Sequence, residues 1–305
     1  MMNKETIGYH KYFVGQKWYD RNGEKVRQGL LLMPAMLIIL SLVIYPLIYS
    51  ISRSFTDFNL GMPEIHFVGI RNYIMAFKDI KFLQSLRTTI IFSISTTIGG
   101  LVLGYGTALL LQRNLMGRKV LTVLLIIPMM TTPIVVGIIW MLLFQPDYSV
   151  INSMLSLIGI TGPQWLQNSI WALVAVIIAD LWQWTPFFTI VLLSSLLNIP
   201  EDIVEAAKVD GASNWKMIRY IITPIISPII VVAVLIRLID SFKIFDVVFV
   251  MTNGGPGNAT EVMSYYIYRT GLGYLNMSYS MAMSFIFLII LIGGSTILIR
   301  KLLRT

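Results

Sequence analysis

Six apolar stretches, each long enough to cross a lipid bilayer, limit what this chain can fold into. About 20 consecutive apolar residues cross the hydrocarbon core as a helix, because a helix pairs the backbone polar groups within one segment. The six stretches cover residues 30–51, 88–111, 120–144, 170–197, 222–250 and 281–299. We therefore predict an all-α integral membrane protein with six transmembrane helices.

Composition supports this class. Charged residues make up 12% of the chain and the mean hydropathy is +0.76, whereas soluble domains carry about a quarter charged residues. The net charge of +8 is spread along the chain rather than gathered into one patch, so no nucleic acid partner is expected. The absence of cysteine excludes disulfides and thiolate chemistry.

Two motif searches argue against catalysis by this chain. The phosphate-binding pattern G-x-x-x-x-G-K-[ST] does not occur, so any ATP hydrolysis has to come from another chain. The zinc-binding pattern H-E-x-x-H is also missing, and the two histidines, His10 and His66, lie outside the apolar stretches. We expect a non-catalytic chain with no metal and no cofactor.

The distribution of basic residues orients the predicted spans. An even number of spans places both termini on one side, and the loops and tails of that side carry 15 Lys and Arg, against five on the opposite side. Cytoplasmic loops are the ones that carry an excess of Lys and Arg. We therefore expect both termini, and the loop between the fourth and fifth spans, in the cytoplasm.

Residues 1–28 form a separate N-terminal segment, predicted to be cytoplasmic, in which basic and aromatic side chains are interleaved. Such a segment either lies along the lipid headgroups, where both kinds of side chain are favoured, or forms a disordered basic tail. The apolar stretch that follows is too long for a signal-peptide core and has no small-residue cleavage site, so we interpret it as a span. Residues 29–305 then form the six-span transmembrane domain.

The segment 198–224, between the fourth and fifth spans, carries signals of ordered local structure. Pro200 suits the first turn of a helix, and the two acids that follow it are favoured near the positive helix end. Gly211 marks the end of this helix, because glycine adopts the left-handed C-terminal conformation at least cost. Ser213 or Asn214 can cap a second helix. We predict a helix, a tight turn and a second helix outside the bilayer, an arrangement suited to contact with a partner.

The same segment contains the order E-A-A-x-x-D-G-A at 205–212, followed by I-x-x-P ending at Pro224. It resembles the EAA loop of permease subunits of bacterial ABC importers. The resemblance implies the type I importer, or MetI-like, permease fold, with a short coupling helix that docks on the ATP-hydrolysing subunit. Carried over by position, this coupling contact falls on Glu205, Ala206, Ala207, Asp210 and Gly211. The alternative is a capped cytoplasmic loop with no partner.

The fourth span carries a carboxylate and a group of polar and aromatic side chains at membrane depth. Asp180 is ionisable and lies inside the span, which makes it a functional candidate because a charge in the bilayer is costly. Pro186 is expected to break the helix beside Trp182, Gln183 and Trp184. Aromatic faces next to a carboxylate and an amide suit a sugar, whose C–H face stacks on a ring while its hydroxyls form hydrogen bonds. The alternative is a proline-kinked packing helix with an internally paired Asp180.

The fifth span carries four charged residues at intervals of three, namely Arg237, Asp240, Lys243 and Asp246. Neighbours three apart on a helix can pair, so Arg237–Asp240 and Lys243–Asp246 pairs would neutralise the set. Arg237 falls about midway along the predicted span, where a charge needs a water-filled path or a buried partner. Either case predicts an interior-facing side. Arg237 also leaves room for an acidic sugar, through bidentate bonding to a carboxylate.

Further motifs resemble the carbohydrate branch of these permeases. They are F-x-G-x-x-N-Y at 67–73, F-K-x-F-D at 242–246, T-N-G-G-P-G at 252–257 and Y-I-Y at 266–268, and the resemblance covers essentially residues 28–303. In that branch the spans flanking the EAA loop contact the sugar. Carried over by position, the substrate path falls near Asp180, Gln183, Trp184, Phe187, Arg237, Ser241 and Ile244.

The resemblance implies a membrane-spanning subunit of an ATP-driven carbohydrate importer in a bacterial cell membrane. Such a subunit sits in lipid and works with a second permease subunit, two ATP-binding subunits and an extracytoplasmic solute-binding protein. The alternative function is an ion-coupled secondary sugar carrier that uses Asp180 and the charges of the fifth span. Six spans are few for such a carrier, which usually contains two repeats, and its ordered cytoplasmic loop would have no purpose.

Overall fold

A computed structural model describes residues 27–61, 64–113, 116–146 and 148–302, and within these ranges the chain is almost entirely helical. Residues 1–26, nearly all of the predicted N-terminal segment, lie outside the described residues. The helices are α1 Arg27–Ser54, α2 Arg71–Lys78, α3 Ile80–Gln112, α4 Arg118–Met130, α5 Pro133–Leu143, α6 Val150–Leu157, α7 Ser169–Leu197, α8 Glu201–Val209, α9 Asn214–Ser241, α10 Asp246–Met251, α11 Met263–Tyr268 and α12 Met277–Leu302. Short π-helical segments lie within α1 and α9, at Leu40–Ile44 and Ile218–Ile222, and a third follows α11.

Five helices, α1, α3, α7, α9 and α12, are long and apolar enough to cross a membrane on their own. They match five of the six predicted spans and confirm a multi-pass, all-α membrane fold. The predicted third span consists of two helices, α4 and α5, which meet at 99° and make a sixth span only when taken together. The break has a local cause, because proline pushes the residue before it out of helical conformation. Thr132, before Pro133, is accordingly extended, with ψ of 143°.

The packing of α3 against α7 holds the second and fourth spans together. An added Cβ on Gly104 of α3 would lie 2.3 Å from the Cβ of Phe188, and an added Cβ on Gly100 would lie 3.0 Å from the ring of Phe188. Small residues let helix backbones come close where lipid provides no hydrophobic driving force. The hydroxyl groups of Thr107 and Thr189 share a hydrogen bond of 2.6 Å across this interface. The position of α7 is therefore fixed by close backbone contact.

Two expectations about the spans that flank α8 are wrong. Pro186 does not break the fourth span, because α7 runs without interruption through it. A single proline removes only one helical hydrogen bond, and neighbouring helices support the rest. The fifth span does not reach residue 250, since α9 ends at Ser241 with turn hydrogen bonds from the N–H groups of Lys243 and Ile244. Arg237 therefore lies four residues before the end of its helix, rather than midway along it.

The segment between α7 and α9 has the predicted local structure. The helix α8 begins directly after Pro200, and Gly211 adopts a positive φ of +77°. The hydroxyl of Ser213 accepts a hydrogen bond from the backbone N–H of Lys216 and so caps the next helix. This second helix does not stop before the membrane, because it continues into the fifth span as α9. One short turn, residues 210–213, therefore joins α8 to α9.

At the opposite end of the bundle, Asp79 connects three helices. One carboxylate oxygen caps α3 by accepting a hydrogen bond of 2.9 Å from the backbone N–H of Lys81. The other accepts hydrogen bonds from the hydroxyls of Tyr266 on α11, at 2.5 Å, and Tyr279 on α12, at 2.7 Å. Burial alone would raise the pKa of Asp79, but these hydrogen bonds outweigh it and lower the pKa below its usual value.

The first span is attached through its C-terminal part. The buried amide of Asn72, part of the F-x-G-x-x-N-Y motif, donates hydrogen bonds of 2.8 Å to the backbone carbonyls of Ser54 and Thr56. The section Tyr45–Ser54 also packs on α12. All side chains of α1 from 27 to 49 are exposed. Within this single chain, the section 27–44 of α1, before the part that packs on α12, therefore presents apolar surface on every side.

Candidate functional site

The ionisable residues at membrane depth line one cavity of about 180 Å³. It lies between the middle of α7, the end of α9 and the turn that leads to α10, and the first residue of α5 closes one side. Its lining residues are Pro133, Asp180, Gln183, Trp184, Arg237, Asp240, Ser241, Lys243, Ile244, Phe245, Asp246 and Val247. The structure thus brings together six of the seven residues expected to form the substrate path.

The seventh residue, Phe187, lies outside this cavity. It lines an adjoining, mainly apolar cavity of about 380 Å³, one helical turn along α7 from Trp184. Trp184, Arg237, Asp240 and Lys243 border both cavities. The two spaces therefore share a wall of charged and aromatic side chains.

Asp180 of α7 and Arg237 of α9 form an ion pair between the two spans. The Nη2 group of Arg237 donates to Oδ2 of Asp180, and both side chains are only 2% exposed. Removing two charges from water is costly, and their attraction offsets this cost only when further hydrogen bonds complete the geometry. One alternative was that Asp180 is paired within the protein. It is paired, and its partner lies on the fifth span rather than on its own.

Asp240 supplies a second carboxylate to the same guanidinium. Nη1 of Arg237 donates to Oδ2 of Asp240 at 3.3 Å, and Nζ of Lys243 lies 3.6 Å from Oδ1. The predicted Arg237–Asp240 pair is confirmed. The predicted Lys243–Asp246 pair is wrong, because α9 ends before these residues and they no longer share a helix face. Lys243 turns back to Asp240 instead.

Trp184 covers the buried guanidinium. Its ring centroid lies 5.0 Å from Cζ of Arg237, within the distance of a cation–π interaction. Trp184 is partly exposed and borders both cavities. Trp182, which we expected beside it, points away and meets the ring of Trp140 edge-on at 6.0 Å. One tryptophan of the pair thus belongs to the cavity, and the other to a neighbouring packing surface.

Gln183 binds the break in the third span. Its Nε2 group donates a hydrogen bond of 2.9 Å to the backbone carbonyl of Thr131, which lies between α4 and α5. Carbonyls at the end of a helix lack their helical N–H partners and need another donor. Gln183 therefore has a structural contact as well as a place in the cavity wall.

Several cavity residues were not assigned from the sequence. Pro133 lies inside the third apolar stretch, and a proline there signals a kink, but no local pattern places it in the same cavity as Asp180. Residues 245–247 reach the cavity only because α9 ends at Ser241 and the chain turns there. Among the residues that the structure describes, no group of three or more His, Asp or Glu side chains could hold a metal ion.

The residues expected to contact an ATPase lie at the α8 end of the bundle. Four of the five are exposed, namely Glu205, Ala206, Asp210 and Gly211. The fifth, Ala207, is buried in an apolar cluster with Leu196 of α7 and Met217 of α9, which attaches α8 to both spans. Val209 and Trp215 are 87% and 69% exposed beside these polar residues. Exposed apolar side chains within a polar surround are typical of an interaction surface.

Known proteins similar to this chain are membrane transport components. Residues 100–304 match the family described as binding-protein-dependent transport system inner membrane component. The probable ABC transporter permease protein y4oQ of Sinorhizobium fredii is 37% identical over 89% of this chain and 88% of its own length. The trehalose/maltose transport system permease protein MalF of Thermococcus litoralis is 36% identical over 77% of this chain and 80% of its own length.

A solved structure shares the fold. It is a bacterial ABC transporter involved in the import of the acidic polysaccharide alginate, with a TM-score of 0.81 and 23% sequence identity. The match covers 95% of this chain and 99% of that chain. At this level of identity the match concerns the fold, which is that of an importer permease.

Proposed function

The chain belongs to the family of binding-protein-dependent transport system inner membrane components, the permease subunits of ABC importers, and we propose that its cavity is the part of the translocation path that contacts a sugar. In this proposal a second permease subunit completes the path. Two separate ATP-binding subunits hydrolyse ATP, and an extracytoplasmic solute-binding protein delivers the substrate. Family membership leaves the alternative of an ion-coupled secondary carrier without support.

The observation that carries the sugar assignment is an aromatic ring set among polar groups in one cavity. Trp184 offers a partly exposed ring, and Ser241 and Gln183 place a hydroxyl and an amide in the same lining. A sugar has an apolar C–H face and a polar rim, which match such a wall. The relative named as a trehalose/maltose permease supports this class of substrate.

The surface of α8 supports the coupling role. Glu205 and Val209 on α8, Asp210 in the turn and Trp215 at the start of α9 are all exposed, so a partner could bury both polar and apolar groups. We place this surface and both termini in the cytoplasm, where ATP is available. The excess of Lys and Arg on that side supports the orientation.

The test compares two tryptophans that are two residues apart on α7. Trp184→Ala removes the ring over the cavity and should reduce sugar uptake into proteoliposomes about fivefold or more, since stacking on an aromatic ring contributes about 1 kcal/mol or more. ATP hydrolysis stimulated by the loaded binding protein should persist. Trp182→Ala, which removes a ring from outside this cavity, is the matched control and should retain uptake.

Wild-type uptake by Trp184→Ala would show that the ring only packs on Arg237 and that the sugar follows another route. Gln183→Ala is a less specific probe, because it also removes the hydrogen bond to the Thr131 carbonyl at the break in the third span. A loss of uptake in that variant would therefore combine two effects.

A further inference from the structure

The charged side chains around the cavity do not sum to a positive charge. Three carboxylates line it, Asp180, Asp240 and Asp246, against two cations, Arg237 and Lys243. The formal net charge of this set is −1. Neutralising any one carboxylate would still leave the lining without an excess of positive charge.

The cation best placed to bind an acid is already engaged. Both terminal nitrogens of Arg237 donate to carboxylates, Nη2 to Asp180 and Nη1 to Asp240. Bidentate recognition of a carboxylate needs two parallel N–H groups of one guanidinium. Lys243 is likewise 3.6 Å from Asp240. An incoming anion would therefore meet each cation beside a carboxylate that already pairs with it.

One nitrogen of Arg237 has no partner within the ranges that the structure describes. Its Nε–H group is buried and has no hydrogen-bond partner among the described residues. A single N–H group matches one hydroxyl oxygen. A carboxylate or a phosphate would instead bring a negative charge towards the three carboxylates of the lining. The remaining hydrogen-bonding capacity of the cavity thus suits a neutral acceptor.

From this arrangement we infer that the cavity selects an uncharged sugar and rejects acidic ones. The inference rests on the proposed function, since it concerns the same substrate path. It also separates this chain from its structural neighbour, whose described cargo is the acidic polysaccharide alginate. The residues that set the selection are Asp240, which pairs with both cations, and Asp246, which adds a further negative charge to the lining.

The test measures the sign of the potential in the cavity without requiring the sugar to be known. The natural chain has no cysteine, so Ile244→Cys puts one thiol into this subunit's cavity lining within the assembled complex. Its reaction rates are measured with cationic trimethylammonioethyl and anionic sulfonatoethyl methanethiosulfonate. Each rate is divided by that of Gln164→Cys, an exposed loop position outside the cavity lining. Cysteines of the other subunits are removed beforehand.

We expect the cationic reagent to react about tenfold faster than the anionic one after this normalisation. Asp240→Asn and Asp246→Asn, each combined with Ile244→Cys, should lower the ratio by about threefold. Equal rates, a faster anionic reagent, or a thiol that reacts with neither would overturn the inference. A failure here leaves the comparison of Trp184 with Trp182 unaffected, so the charge preference and the sugar path are tested separately.

Discussion

Asp180 and Arg237, 57 residues apart in the sequence, form a buried ion pair that joins the fourth and fifth spans across the cavity wall. The two spans flank α8, so the pair lies between the helices that leave and re-enter the membrane on either side of it. A buried pair of this kind is sensitive to the loss of one partner, because the other charge is left unpaired in a poorly solvated place.

Breaking the pair should destabilise the protein strongly, whereas replacing both partners should not. We expect Asp180→Leu or Arg237→Met alone to cost about 3–5 kcal/mol, and the double variant to recover most of that loss. Thermal unfolding of the purified complex measures both. Asp240→Asn removes a partner whose side chain is 42% exposed and should cost at most about 1 kcal/mol. A double variant as unstable as the worse single one would contradict this.

Gly104 should tolerate no side chain, whereas Gly106, two residues further along α3, should tolerate one. Gly104→Ala places a Cβ 2.3 Å from the Cβ of Phe188 and should destabilise the α3–α7 packing by about 1–3 kcal/mol. Gly106→Ala, which meets nothing within 4 Å, is the control and should be neutral or slightly stabilising. Melting temperatures of the two variants decide the matter, and equal values would show that the helices move apart at no cost.

The close approach at Gly104 illustrates what the sequence could and could not predict. The second span is rich in glycine, and this composition is typical of tight helix packing in a membrane. Which glycine faces which helix depends on the rotation of α3 against α7, which no local pattern determines. The uninterrupted α7 is a similar case, since Pro186 is a break signal that the surrounding helices override.

The turn at Gly211, between α8 and α9, should be sensitive to substitutions that strain its backbone rather than to the volume of the new side chain. Gly211 has φ of +77° and open space around it, so Gly211→Val should cost about 1–2 kcal/mol locally through strain alone. Gly211→Asn should be milder, because asparagine tolerates this conformation. We expect binding-protein-stimulated ATP hydrolysis to fall more in the valine variant, and in Glu205→Ala as well. Wild-type stimulation in all three would remove the coupling assignment.

Asp79 should make stability depend on pH at the acidic end. Its pKa is lowered in the folded protein, so its contribution is present above the pKa of the unfolded chain. It is lost as the pH falls through the lower pKa of the folded state, below about pH 4. Melting temperatures of the wild type and Asp79→Asn, measured between about pH 3 and pH 7, should converge towards acid. A constant difference would show that the hydrogen bonds from Tyr266 and Tyr279 do not depend on ionisation.

Single cysteines should label from opposite sides. With both termini in the cytoplasm, Gln164→Cys is expected to react with an impermeant thiol reagent added outside intact cells. Lys208→Cys on α8 should react only after the membrane is permeabilised. The natural chain contributes no background, since it lacks cysteine. The reverse pattern of labelling would invert the topology.

The candidate site shows the same division between local and long-range information. Asp180, Gln183 and Trp184 are spaced i, i+3 and i+4, which is typical of one helix face, and the structure brings them to one cavity. The charges at intervals of three on the fifth span suggested pairs within one helix. Of the two pairs that the spacing suggested, only Arg237–Asp240 forms. The helix ends at Ser241 through turn hydrogen bonds that the apolar run did not reveal. The partner of Asp180 could not be read from either segment alone.

The bend between α4 and α5 lies at the cavity, because Pro133, the first residue of α5, is part of the lining. The arm α4 packs along α7, whereas α5 packs on α10, so the two arms follow different neighbours. The hydrogen bond from Gln183 to the Thr131 carbonyl ties the bend between α4 and α5 to α7. If α7 shifted relative to α10, this hydrogen bond would either move with α7 or break. Any change in the angle between α4 and α5 would therefore alter the cavity lining, which contains both Gln183 and Pro133, the first residue of α5.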